Sequence, residues 1–318
     1  MAKTKLTGRK RDERITAYAF TAPAVILLIA FLVVPMIYTV YYSGFKYQIM
    51  RPDAIKMIGI ENYQKLFQDK NFWMALKNTV YFTVVVVPVQ CILALGLALL
   101  VSKKFRGVAI FRTMYFSPQL TSMVVISVLW SVLYNANPST GLINSLLVSL
   151  GMDPINFLSN EHTAMNSIIF MSAWQGAGYQ MMIFLAGLQA IPGDQYEAAS
   201  IDGAGRWAKI KYVTLPGIKP TIMILLLMNV GNVLNAGFEI QYLLGNGLVQ
   251  KVSQTIDIYV LKWGISQGDY SIGTAAGIFK SAVSIILIVI ANQIAKRNGE
   301  ERLFYCLLYT SPSPRDTR

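Results

Sequence analysis

Asn229, Asn232, Asn235 and Glu239 recur at intervals of 3, 3 and 4 inside the apolar run 220–244. At about 100° per residue a helix gathers them on one arc of roughly 120°, and at about 1.5 Å per residue they climb roughly 15 Å. Three amides and a carboxylate in that register offer hydrogen bonding rather than covalent chemistry. Along a channel wall they would hold a polyhydroxylated solute; along a helix contact they would tie neighbouring helices together. Both readings fit the spacing. Trp174, Gln175, Tyr179 and Gln180 add aromatic faces and amides to the middle of a second apolar run, where Gly176 and Gly178 serve either a polar lining or close packing. Lys280, about a third of the way into the last apolar run, must find a partner or snorkel. Glu239 is expected at comparable depth, which predicts a Glu239–Lys280 ion pair.

Other chemistry has no candidate residues. No G-x-x-x-x-G-K-[ST] occurs, and Gly203-Ala-Gly-Arg-Trp-Ala-Lys209 lacks its spacing, so a P-loop for ATP is not expected in this chain. G-x-S-x-G, H-E-x-x-H and paired Cys/His motifs are missing too, and the chain does not read as an enzyme. His162 is the one histidine and reads as a solvated loop residue. Cys91 and Cys306 make no disulfide framework, and no metal site is expected.

The elements that would position these residues are membrane spans. Of 318 residues 54% are hydrophobic and only 14% charged, with mean hydropathy +0.46, against about a quarter charged in a soluble domain. Windows of about 20 apolar residues give six spans, near 15–42, 79–101, 112–134, 164–190, 220–244 and 272–295. The first follows Lys10, Arg11 and Arg14 like a signal peptide, but it is long, lacks a small-residue cleavage site and leads into Tyr38, Tyr41 and Tyr42, so it reads as a retained helix. With the N-terminus inside, the cytoplasmic segments hold most of the Lys and Arg, and 135–162 has neither. The net charge of +12 therefore reads as positive-inside topology and not as nucleic-acid binding. Both termini and the loop 191–219 fall on the cytoplasmic side.

That loop is the polar exception in the chain. Asp194 follows Ile191-Pro192-Gly193 as a helix start; Glu197, Ala198 and Ala199 lead to Asp202 and Gly203; Arg206 opens a second segment ending at Val213-x-Leu215-Pro216. Gly203 and Gly205 allow a turn between the segments. Periodicity alone reads this as an amphipathic re-entry loop anchored by Arg206, Trp207, Lys209 and Lys211. The register E-A-A-x3-G-x9-V-x-L-P, between the fourth and fifth of six spans, resembles the EAA loop of the integral-membrane permeases of binding-protein-dependent ABC importers, the MetI-like family. The resemblance covers roughly residues 15–304. Gly59-Ile-Glu-Asn-Tyr63, Asn71-Phe-Trp73, Asn78-Thr79, Phe111-Arg112-Thr113 and Ile183-Phe184-Leu-Ala-Gly-Leu188 resemble the sugar-importing branch. Asn235-Ala-Gly-Phe-Glu239 and Asp257-Ile-Tyr-Val260 resemble oligo- and polysaccharide permeases, while Leu244-Gly-Asn-Gly247 stands where many sugar permeases have Thr-Gly-Gly-Gly-Pro.

The resemblance implies an all-α membrane protein with six transmembrane helices and a cytoplasmic coupling helix. It implies a permease subunit of an ATP-driven sugar importer in a bacterial plasma membrane. Partners would be a second permease subunit, two cytoplasmic ATP-binding subunits that hold ATP and Mg, and an extracytoplasmic solute-binding protein; this chain would bind no cofactor. Coupling to the ATPase would fall to Glu197, Ala198, Ala199, Asp202, Gly203, Arg206, Leu215 and Pro216. The substrate pathway would use Trp174, Gln175, Tyr179, Asn229, Asn232, Asn235, Glu239 and Lys280. The expected organisation is a basic N-terminal segment 1–14, a permease domain 15–304 and a non-native or disordered tail 305–318. The rivals are a secondary transporter driven by an ion gradient, for which Glu239 alone is a thin relay, and an ABC permease for a non-sugar solute.

Overall fold

The computed structural model describes residues 8–47, 55–103, 105–232, 234–235 and 237–297; the expected tail 305–318 lies outside them. Helices dominate. They are α1 (Gly8–Leu28), α2 (Val34–Ser43), α3 (Glu61–Gln68), α4 (Lys70–Val101), α5 (Val108–Leu120), α6 (Met123–Leu133), α7 (Leu142–Ser149), α8 (Ala164–Gln189) and α9 (Gly193–Ile201). There follow α10 (Arg206–Lys209), α11 (Leu215–Gly217), α12 (Lys219–Gly231), α13 (Phe238–Leu244), α14 (Gln250–Ser253), α15 (Ile256–Val260) and α16 (Tyr270–Arg297). One antiparallel strand pair, β1 (Phe45–Lys46) with β2 (Lys56–Met57), follows the first span.

The chain divides into two compact units. The first holds residues 1–68 and 262–278. Glu13–Ser43, running through α1, a π-helical turn and α2, is long and apolar enough to cross a membrane, and none of its apolar window is buried. A helix bare on all sides needs lipid or another chain around it. Its end is tied down by Asn62, which donates to the carbonyls of Ser43 at 2.7 Å and Phe45 at 2.9 Å. Gly59, at φ +60, makes the turn into α3 that other residues resist.

The second unit, 69–261 and 279–318, is built around α8. This helix carries no charged residue, buries more than half of its length and packs against α4, α5, α12 and α13. Two apolar clusters flank it: Phe82, Ile126, Trp130, Met165, Ile168 and Ile240 in one, and Ala94, Ala98, Met181, Phe184, Ile218 and Leu225 in the other. Asp69 caps α4 by accepting from the Asn71 N–H at 2.8 Å, and its other oxygen accepts from the buried Tyr259 hydroxyl at 2.8 Å.

Six straight spans are not what the described residues show. Three helices meet the length and hydropathy of a membrane crossing, or five if each of two bent pairs is one span. The expected third span breaks by 100° between α5 and α6, because Pro118 cannot extend the hydrogen-bond ladder and Thr121 and Ser122 turn extended. Just ahead of the expected fifth span, Arg206–Gly217 meets Lys219–Gly231 at a bend of 59°, beside Pro216 and Pro220, and the span itself is not continuous. It stops at Gly231 and restarts at Phe238 after Gly237 at φ +63. The fourth, α8, has 26 residues and crosses by length, but Gln175, Tyr179 and Gln180 lower its hydropathy.

Candidate functional site

Two places collect the side chains singled out by the sequence. The first is a cavity of about 500 Å³ between α4, α8, α12 and the segment leading to α13. Gln175 and Tyr179 reach it from α8, Asn229 from α12, and Asn232 and Asn235 from the chain beyond. The predicted helical stripe does not exist as such, since the helix ends at Gly231; the amides converge because the chain unwinds there. Asn232 donates to the Met228 carbonyl at 3.2 Å and its own oxygen accepts from Asn235 at 3.1 Å. Asn229 donates to the Leu225 carbonyl at 2.8 Å.

Three predicted pathway residues lie elsewhere. Trp174 packs edge-on against Trp130 and lines a separate apolar hollow with Ile92, Leu97 and Met114. Glu239 is exposed on α13 and is not part of the lining. Lys280 pairs with Asp257 of α15, both largely buried. The expected Glu239–Lys280 pair is therefore replaced by Lys280–Asp257. A break before α13 reorients Glu239, and a carboxylate on a neighbouring short helix is the nearer solution for a buried ammonium.

The cavity also holds side chains that the spacing did not reveal. Thr83 and Gln90 come from α4, Gln119 from the end of α5 and Ser172 from α8. Gln119 follows Pro118, so a proline beside an amide was the available signal. Gly176 matters differently from Gly178. A Cβ at Gly176 would meet the Gln90 amide, whereas a Cβ at Gly178 would meet the Tyr115 carbonyl oxygen of α5. The first glycine makes room for a lining amide and the second permits close helix packing.

The second place is the hairpin α9–α11. Asp194 sits in the first turn of α9. The helix closes in a Schellman arrangement, with the Gly203 N–H on the Ser200 carbonyl at 3.1 Å and the Ala204 N–H on the Ala199 carbonyl at 2.9 Å. Gly203 is left-handed at φ +77. Gly205, at φ −71 and ψ 176, is ordinary extended backbone, so the turn rests on Gly203 alone. Two bonds brace the segments: Lys209 Nζ to Ser200 Oγ at 2.6 Å, and Tyr196 with Thr214 at 3.0 Å. Glu197, Ala198, Asp202, Gly203, Arg206, Leu215 and Pro216 are exposed and Ala199 half-buried. Ile201 and Trp207 stand out at 87% and 82% exposure, an apolar display that a solvated hairpin does not need.

Residues 90–299 match the family model of the binding-protein-dependent transport system inner membrane component. The chain belongs to this family. The permease is 38% identical over 254 residues to the polygalacturonan/rhamnogalacturonan transport system permease protein YteP of Bacillus subtilis (strain 168), covering 78% of this chain and 77% of that one. It is 33% identical to the arabinooligosaccharides transport system permease protein AraP of the same organism, covering 89% and 90%. Among solved structures, the permease matches a chain of a bacterial alginate ABC transporter in complex with an alginate pentasaccharide-bound periplasmic protein. That match has TM-score 0.83 and 29% identity, and covers 93% of this chain and 99% of the other. The MetI-like fold and the membrane-component role expected from the loop motif thus hold, and the permease is a transport subunit and not an enzyme.

Proposed function

We propose that this permease carries a sugar, an oligosaccharide or a fragment of a polysaccharide, through the membrane as half of a paired transmembrane core. The observation that supports it most is the match along nearly the whole chain to the alginate transporter, together with relatives whose named cargoes are all glycans. A second permease subunit completes the core. Two ATP-binding subunits, which hold ATP and Mg, dock on the 191–219 hairpin and its counterpart in the second permease, and a solute-binding protein delivers sugar from outside. The exposed Glu197, Ala198, Asp202 and Arg206 present polar and small contacts, Gly203 fixes the turn, and Leu215-Pro216 passes the motion into α12. With α8 counted as a crossing, the α5–α6 pair as one span and the fifth span beginning at α12 beyond the hairpin, six spans put both termini on one side, and the Lys/Arg distribution makes that side the cytoplasm.

Closure of the ATPase pair would push the hairpin and rock α12 and α8, opening the amide-lined cavity to alternate faces. The chain then does nothing alone. Purification with the products of neighbouring reading frames tests this: a complex with two ATPase subunits whose ATP hydrolysis rises with sugar-loaded binding protein is expected. A chain that purifies alone and takes up solute with an ion gradient would overturn it in favour of a secondary transporter.

A further inference from the structure

The cavity bears on which sugars pass. Its polar lining is neutral throughout: among the described residues no Asp, Glu, Lys or Arg faces it. The two charged groups of the same part of the chain are absent from the lining, since Lys280 is taken up by Asp257 and Glu239 lies on the exposed face of α13. What remains are amides and hydroxyls. Gln90, Gln119 and Gln175 make no side-chain hydrogen bond among the described residues, so each keeps two donors and an acceptor for a ligand. Tyr179 adds a ring face and a hydroxyl beside them. The volume lies within the roughly 300–1,000 Å³ of small-molecule sites.

A sugar hydroxyl both donates and accepts, and an amide answers it in either sense. A uronate carboxylate is different. Removed from water into this site it would meet dipoles but no cation, and an unpaired charge within a membrane protein is strongly disfavoured. We propose that the part of the pathway built by this chain takes neutral glycan units and disfavours uronates, which separates it from carriers of the acidic polysaccharide alginate. The proposal rests on the sugar-permease reading and adds the charge class of the cargo.

A binding protein filters sugars before they reach the membrane, so binding is read without it. Saturation-transfer NMR on the purified importer complex compares arabinotriose and maltotriose with trigalacturonate. Neutral trisaccharides are expected to bind at least about tenfold more tightly than the uronate, and the Gln175→Leu/Asn232→Leu variant should lose that signal. Gln175→Lys should gain trigalacturonate binding, a result that misfolding cannot imitate. Trigalacturonate binding the wild type as well as the neutral sugars would overturn the proposal, as would no gain in Gln175→Lys. Uptake by the assembled importer separates the two levels. Uptake of uronates at rates equal to neutral sugars sinks the charge-class inference and leaves the permease reading standing, whereas transport of no sugar of either class sinks both.

Discussion

Gly176 and Gly178 stand two residues apart on α8, and their substitutions should fail in different ways. Gly178→Ala drives a Cβ into the Tyr115 carbonyl and close to Phe116 Cα, so α5 must move; overpacking of this kind costs about 2 kcal/mol and should appear as a lower melting temperature in detergent. Gly176→Ala meets only the end of the Gln90 side chain. Its melting temperature should stay near that of the wild type while sugar uptake falls. The glycines of the hairpin give a second pair. Gly205→Ala should be silent, since any residue adopts its backbone angles, while Gly203→Val sets a β-branched residue at φ +77 at about 1–2 kcal/mol. Limited proteolysis of the hairpin reports the difference. Several of the family-like motifs prove to be joints. Asn78 binds the Lys251 and Gln254 carbonyls at 2.9 and 3.0 Å, Thr79 accepts from the Ile256 N–H at 2.9 Å, and Arg112 binds the Val101 carbonyl at 2.8 Å.

The bonds of Asn78 and Thr79 fasten α14 and α15 to α4, that of Arg112 fastens α5 to α4, and Lys280–Asp257 fastens α15 to α16. Lys280→Met or Asp257→Asn alone leaves one buried charge unpaired and should cost about 3 kcal/mol; the double variant should recover much of the loss in a thermal-shift assay. Glu239→Gln should leave stability unchanged. Element existence was legible in the sequence where a long apolar run stays helical throughout: α8 was expected at nearly its observed place, and α4 reaches nine residues ahead of the expected 79–101 and continues through Pro88. The fifth span was misread because its apolar content continues through residues 231–237 while its backbone does not. Hydropathy registers side chains; it does not register Gly231, or Gly237 in the left-handed region. The amides at 229, 232 and 235 nevertheless line one cavity, without Glu239, because an unwound segment at the end of α12 keeps them near one another. Gln90 and Gln119 were not found, since neither belongs to a recurring run of polar residues within an apolar span and only the fold brings it to the cavity.

At the scale of the whole molecule, the bare first span and the exposed Ile201 and Trp207 describe a subunit made to be surrounded. In the proposed assembly its apolar surface would meet lipid and a second permease, and its polar hairpin would meet the ATPase. The proposed entry point for energy from ATP is that hairpin, where Gly203 is left-handed and Glu197 lies on the exposed face. The most direct test is binding-protein-stimulated ATP hydrolysis and sugar uptake by the assembled importer carrying Glu197→Ala or Gly203→Val. The account predicts that uptake falls by about tenfold or more, the equivalent of at least 1.4 kcal/mol of lost coupling, with the binding protein no longer stimulating hydrolysis or the ATPase no longer co-purifying. Wild-type uptake and stimulation in both variants would contradict it.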